Sequence, residues 1–221
     1  MLFEFARKEG AMQELLTGKK RLAGFSGEWE VKRLGEFSEL KNGYSFKSST
    51  YNESGQYFVI TIANVQDGFM EISDCNKILE LPTDIQSHQK LKIGDLLISM
   101  TGNVGRVCKV NHENTLLNQR VGKMEPFDVD NSFLFYILHD RKFIKQMIIS
   151  AQGGAQGNIG KNDILSFETK LPPTKKEQQA IAEILSDMDS EITTLEQKRE
   201  KYRLVKQGMM QQLLTGKIRL I

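Results

Sequence analysis

The chain has 221 residues, 39% of them hydrophobic and 26% charged, with a net charge of +2 and no apolar run near the ~20 residues of a membrane span. That is enough chain for one self-supporting core, so a folded protein without a membrane-spanning helix is expected. The opening "MLFEFARKEG" carries acids within its first nine residues and lacks the apolar segment of a secretion signal, so a cytoplasmic location is expected.

In chain order, "LFEFARKEGAMQELLTG" reads as a short helix closed by Gly18. "WEVKRLGEFSELKNG" predicts a short strand or turn and then a helix ended by Gly43. "QYFVITIANV", residues 56–65, is rich in β-branched and aromatic side chains and reads as a strand. "DLLISM" (95–100) and "RVCKV" (106–110) flank "TGNVG" as a hairpin, and "NQRVGKMEP" follows as a further strand. "NSFLFYILHDRKFIKQMIIS" has helical spacing through Phe133, Ile137, Phe143, Ile144, Met147 and Ile148, and "SFETKLP" closes the middle region as a strand.

Pro172 and Pro173 then stop the chain ahead of Thr174, which with Glu177 has the spacing of a capping box. From there a helix is predicted over Lys175–Thr215, 41 residues or about 60 Å, stopped by Gly216 with Lys217 beside it. Alternate steps of four and three residues visit Ile181, Leu185, Met188, Ile192, Leu195, Arg199, Tyr202, Lys206, Met209 and Leu213, so eight of ten seam positions are apolar or aromatic. A stripe this narrow on a rod this long needs a partner helix beyond the turns that its own globular domain covers. Arg199, Lys206 and Gly208 loosen the seam near its end.

"MQELLTGKKRL" at 12–22 and "MQQLLTGKIRL" at 210–220 agree at nine of eleven positions across a separation of 198. The chain therefore opens on the last turns of one helix and ends on those of an equivalent one, with one period between them. The expected organisation is α+β: an N-terminal helical stub over 1–26, a mixed α/β module over 27–171, and a long helix over 172–221.

Chemistry finds little foothold. Cys75 and Cys108 have no CxxC spacing and His88, His112 and His139 are scattered, so no metal set is expected and both thiols should be reduced and partly buried. "GGAQGNIGKN" fails as a phosphate loop, because five residues rather than four separate Gly154 from Gly160 and Asn162 follows Lys161. No nucleophile elbow, zinc-protease motif or Cys–His pairing is present, and Asp187 and Asp189 lie on the long helix as part of a solvated face. The pattern is that of a binding protein. Residues 34–169 hold 13 Lys/Arg against 16 Asp/Glu while the flanks hold 17 against 12, so any grip on a polyanion must come from local clusters such as "KNGYSFK" and "RKFIK".

"LPPTKKEQQAIAEILSDMDSEITTLEQKREKYRLVKQGMMQQLLTGKIRL" resembles the conserved region of type I restriction-modification specificity subunits, with Pro172-Pro173, Glu177-Gln178, Ile181-Ala182, Leu185 four before Asp189, and the closing Leu-Leu-Thr-Gly-Lys in order. "WEVKRLGEFSELKNGYSFKSSTY", "LKIGDLLISMTGNVGRV", "LLNQRVGKMEP" and "GGAQGNIGKNDILSFETKLPP" resemble successive landmarks of one target recognition domain of that family. The resemblance implies a non-catalytic subunit whose target recognition domain reads double-stranded DNA and whose long helix pairs as an antiparallel coiled coil and docks methyltransferase subunits and, through them, restriction subunits. S-adenosylmethionine and ATP are then expected only on those partners, with no cofactor here.

With one recognition domain and one complete helix, the sequence looks like a half-length form, and two copies about a two-fold axis are expected to read an interrupted palindrome. Lys41, Lys47, Arg141, Lys142 and Lys145 are the candidate phosphate contacts, although 141–145 reads equally as a solvated helix face. Asn42, Tyr44, Ser45, Lys47 and Ser48 are the first candidates for base contacts, or else a plain connector, and Thr101 and Asn103 the second. Gln152 and Gln156 are expected to act structurally near the long helix, and Phe46 and Tyr51 to join the core. Ile181, Leu185, Met188, Ile192, Leu195, Tyr202, Met209 and Leu213 form the expected coiled-coil interface. Two other readings stay open: an oligomerisation protein without DNA affinity, and a fragment that modulates a full-length specificity subunit.

Overall fold

A computed structural model describes residues 2–153 and 157–215; the expected helix stop at Gly216 and Lys217, and Gln156, lie outside them. Helix α1 (Leu2–Leu15) leads to strands β1 (Glu30–Arg33), β2 (Ser38–Asn42), β3 (Tyr57–Ile60), β4 (Asn76–Ile78), β5 (Leu96–Ser99), β6 (Val107–Lys109), β7 (Thr115–Leu117) and β8 (Val121–Pro126). Helices α2 (Asn131–Leu138), α3 (Arg141–Gly153) and α4 (Lys161–Leu165), strand β9 (Glu168–Leu171) and helix α5 (Lys175–Leu214) complete the chain. The architecture is mixed α/β with a long C-terminal helix.

A four-stranded antiparallel sheet in the order β2-β8-β5-β6 is central. Every residue of β5 is buried, as expected of an inner strand packed on both faces. Leu96 and Ile98 join the helices in the main core, while Leu97 points the other way with Cys108 and Val121 towards Ile60, Val65 and Leu117. That second layer is a three-stranded sheet in the order β4-β3-β7, whose far side gathers Phe46 and Tyr51 around Val59, Ile78 and Leu116. Strand β1 pairs antiparallel with β9, bringing the two ends of the domain together.

The helix expected over 34–42 does not form. Leu34, Phe37 and Leu40 repeat every three residues and imitate a helix face, yet a single 3₁₀ turn at Leu34–Glu36 gives way to β2, where Ser38 and Leu40 point inward and Glu39 and Lys41 outward. The strand expected over 56–65 stops at Ile60, because the Asn64 side chain accepts from the Thr61 amide at 2.9 Å and turns the chain. The segment 131–150 makes two helices rather than one. Asp130 caps the first by accepting from the Ser132 and Phe133 amides, and Asp140 starts the second by accepting from the Lys142 amide.

Thr174 caps α5 by accepting from the Glu177 amide at 3.3 Å, but Glu177 does not reach back to complete the box. Its carboxylate is wholly buried and held by Arg21, with Nε to Oε1 and Nη2 to Oε2 both at 2.9 Å, and Trp29 Nε1 donates to Oε1 at 3.3 Å. Buried Gln178 accepts from the Asp130 amide at 2.8 Å and donates to the Pro172 carbonyl at 3.2 Å, tying α5 to the start of α2. Helix α1 lies antiparallel along α5, since Arg7 pairs with Glu191, Lys8 with Asp189 and Arg21 with Glu177. Met12, Leu15 and Leu16 share one core with Ile181, Ala182 and Leu185, so the N-terminal segment is built into the domain rather than standing apart from it.

The seam of α5 divides in two. Ile181, Leu185 and Ile192 are buried and Met188 and Leu195 half-buried within this one chain, whereas Tyr202, Met209 and Leu213 are exposed, as is every residue from Gln197 to Thr215. The chain's own domain and α1 therefore cover about five turns of the rod. Replacing Arg21 with Ala leaves a buried carboxylate with one weak donor, and urea unfolding is expected to show a loss of about 3 kcal/mol; a loss under about 0.5 kcal/mol would contradict this role for the pair.

Candidate nucleic-acid interface

The register of the central sheet brings three connections to one end of it. Asn42 at the close of β2 faces Gly122, Ser99 at the close of β5 faces Val121, and Val107 at the start of β6 faces Ile98. The loops 43–48, 118–120 and 100–106 leave from these points. They are stitched to one another: the Tyr44 amide donates to the Leu117 carbonyl at 2.8 Å, Gln119 to Tyr44 at 3.0 Å, and Met100 to Arg120 at 3.2 Å. The chain beyond α3 joins them where Thr101 bridges to Asn158 and the Ile159 amide donates to Met100 at 2.9 Å.

Gly43, read from the sequence as a helix stop, serves instead as a point of close approach. A Cβ there would run into the backbone carbonyl of Asn118. Tyr44 is fastened further by its hydroxyl, which donates to Asp84 at 2.8 Å and whose acidity that bond weakens, and by its tilted ring contact with Phe46. In the hairpin, Gly102 and Gly105 take φ of +72° and +79°, a conformation that disfavours other residues.

These anchors leave Asn42, Ser45, Lys47, Ser48, Asn103, Gln119 and Arg120 exposed, with Thr101 half-buried. The three loops carry one cation each, Lys47, Arg106 and Arg120, and no carboxylate. Arg106 is oriented by donating to Gln66 Oε1 at 2.7 Å. Gln119 and Arg120 are not among the sequence candidates because "NQRVGKMEP" reads as strand throughout, whereas the strand starts only at Val121. The signal in the sequence is Asn118, Gln119 and Arg120, three polar residues in a row between Leu117 and Val121.

Other candidates fall elsewhere. Lys41 lies within β2 with its ammonium 2.8 Å from Glu39 and 3.8 Å from Glu125; the Glu39 bond raises its pKa, and its charge is already balanced. Arg141 pairs with Glu9 of α1, beside exposed Lys142 and Lys145. The other end of α3 does reach the loops, since Ile148, Ala151 and Gln152 border a shallow groove with Gly102, Asn103 and Arg106. Gln152 thus faces the hairpin rather than the long helix. Both cysteines are buried and unpaired, and burial pushes the Cys75 thiol to about 11 and the Cys108 thiol to about 12. Among the described residues no group of three or more His, Cys, Asp or Glu side chains could hold a metal ion.

A sheet domain that offers stitched, carboxylate-free loops at one end and a rod at its side has the form of a binding subunit. Residues 26–202 match the model of the family described as the type I restriction modification DNA specificity domain, and the chain belongs to that family. It is 30% identical, over 96% of its length and 53% of the relative's, to the specificity subunit of the type I restriction enzyme MjaVIII of Methanocaldococcus jannaschii. To the putative MjaX specificity subunit of the same organism it is 31% identical, over 96% of this chain and 51% of that one. The chain thus spans about half the length of the curated relatives it matches. Its fold is similar to that of the HsdS subunit of Thermoanaerobacter tengcongensis, with a TM-score of 0.64 at 21% identity over 95% of this chain and 50% of that one.

Substituting Gly43 with Ala should force the Asn118 backbone away and cost about 2 kcal/mol or more in thermal unfolding. An unchanged melting temperature would show that the 43–48 and 118–120 loops are not locked together there.

Proposed function

We propose that this chain is a non-catalytic, sequence-specific DNA-recognition subunit of a type I restriction-modification system, and that the loop end of its central sheet reads one part of the target. The observation that carries this reading is that the three stitched loops carry one cation each, Lys47, Arg106 and Arg120, and no carboxylate of their own, among exposed amide and hydroxyl side chains, the neighbouring Asp84 being engaged by the Tyr44 hydroxyl. Cations of this kind hold phosphates, and Asn42, Ser45, Ser48, Asn103 and Gln119 have the donors and acceptors that base edges require. Lys142 and Lys145, exposed at the far end of α3 from these loops, are not part of this group. Family membership supports the same reading, as do relatives named as specificity subunits.

In this reading α5 is the assembly element. Its exposed half presents Tyr202, Leu204, Val205, Met209 and Leu213 to a second helix, and the methyltransferase and restriction subunits dock through the paired rods. The partner rod comes from a second copy of this chain. Two recognition domains related by a two-fold axis then read an interrupted palindrome, while S-adenosylmethionine and ATP belong to the other subunits.

A gel shift on duplex DNA across a salt series tests the reading. Affinity should fall steeply and linearly on a log–log plot, and replacing Lys47 and Arg120 together with Ala should lower the slope by about 2. Absence of a shift at low salt overturns it and favours an interaction module without DNA affinity, and binding that ignores both salt and these substitutions overturns the assignment to this loop end.

A further inference from the structure

The side chains that α1 buries are presented a second time, uncovered, at the end of α5. At the repeat offset of 198, Met12, Leu15 and Leu16 correspond to Met210, Leu213 and Leu214. The first three are at most 8% exposed, and the second three are 38–82% exposed. The correspondence includes two of the polar contacts. Lys8, the partner of Asp189, corresponds to Lys206, and Arg21, the partner of Glu177, corresponds in sequence to Arg219. The two positions at which the repeats differ, Glu14 against Gln212 and Lys20 against Ile218, are both exposed in the N-terminal copy. The apolar side chains that the groove between α2 and the first half of α5 covers in α1 are therefore present again at the far end of the rod, with the lysine that pairs with Asp189, whereas Arg7 and Glu9 are replaced there by Val205 and Gln207.

We propose that this groove is the docking site for the end of α5 from a second copy of the chain, and that α1 is a built-in competitor for it. The proposal rests on the self-association put forward above and specifies its register. In α1 the paired residue numbers, 7 with 191, 8 with 189 and 21 with 177, add to 197 or 198. Raising the first member by 198 brings the sum to about 396, so two antiparallel rods related by a two-fold axis cross at about residue 198. At that crossing Leu195, half-buried in the single chain, faces exposed Tyr202 of the partner subunit.

Competition follows from tethering. A segment joined to its groove by a short connection acts at an effective concentration on the order of millimolar, so α1 keeps the groove closed unless a second copy also gains the contacts around residue 198. Releasing α1 removes that handicap. The end of α5 loses nothing when it moves into the groove, because it has no cover of its own.

Sedimentation of the full chain, combined with carbodiimide crosslinking of mixed isotope-labelled and unlabelled copies, tests the exchange. Leu16→Glu, which expels α1, should tighten dimerisation at least ~10-fold. Leu213→Glu with Leu214→Glu, at positions the fold does not use, should abolish it in either background. Crosslinks between Lys206 and Asp189 of different copies should grow with concentration as the internal Lys8 to Asp189 crosslink declines. A dimer that keeps only the internal crosslink and ignores Leu213→Glu overturns the exchange while leaving self-association intact. A chain that stays monomeric throughout, including as a folded Leu16→Glu variant, overturns both, and the DNA gel shift then stands or falls separately.

Discussion

The burial of the first half of α5 under α1 and α2, closed by the Glu177 carboxylate in the grip of Arg21, is the constraint on which the other features depend. Alone, α5 is a rod with a narrow apolar stripe, and an isolated helix of that kind draws its stability from whatever covers the stripe. Here the cover belongs to the same core as the sheet, so Ile181 and Leu185 pack in one cluster with Leu96, Phe133 and Met12. The ion pair decides where the rod is held more than how tightly. A buried carboxylate tolerates only a position that satisfies both its oxygens, and the Arg21 fork with Trp29 behind it defines that position.

A domain fixed to a rod in this way can place its loops. The loops at the end of the central sheet are not free connectors, because backbone bonds run from 44 to 117 and 119, from 100 to 120 and from 159 to 100. Rigid supports under exposed polar tips suit recognition, since little conformational freedom is lost on binding. The same logic separates Lys41 from Lys47. The first is held in the sheet between two carboxylates, and the second stands on a loop with none beside it in sequence.

Much of the scaffold was legible from local chemistry. The Pro-Pro stop, the Thr174 cap and the seam spacing located α5, and the Gly-containing turn located the β5–β6 hairpin. Errors arose where a distant contact decided a local outcome. Residues 34–42 have helical spacing, but pairing with β8 makes them a strand. Glu177 has the position of a cap residue, but an arginine 156 residues away claims it. Strands β4 and β7 are three residues long and owe their existence to β3, one of them by parallel pairing that no local pattern announces. Of the candidate site, the polar loops 42–48 and 101–103 were visible. The 118–120 loop was hidden by the strand it adjoins, and the neutralisation of Lys41 comes first from Glu39, which shares its face of the sheet only because 38–42 form a strand rather than a helix.

Amide hydrogen exchange of the full chain with and without duplex DNA at low salt tests the central claim most directly. The account predicts that DNA slows exchange at 43–48, 100–106 and 118–120 and leaves β1 and β9 unchanged. Protection confined to the exposed half of α5 or to the opposite end of the sheet would contradict it.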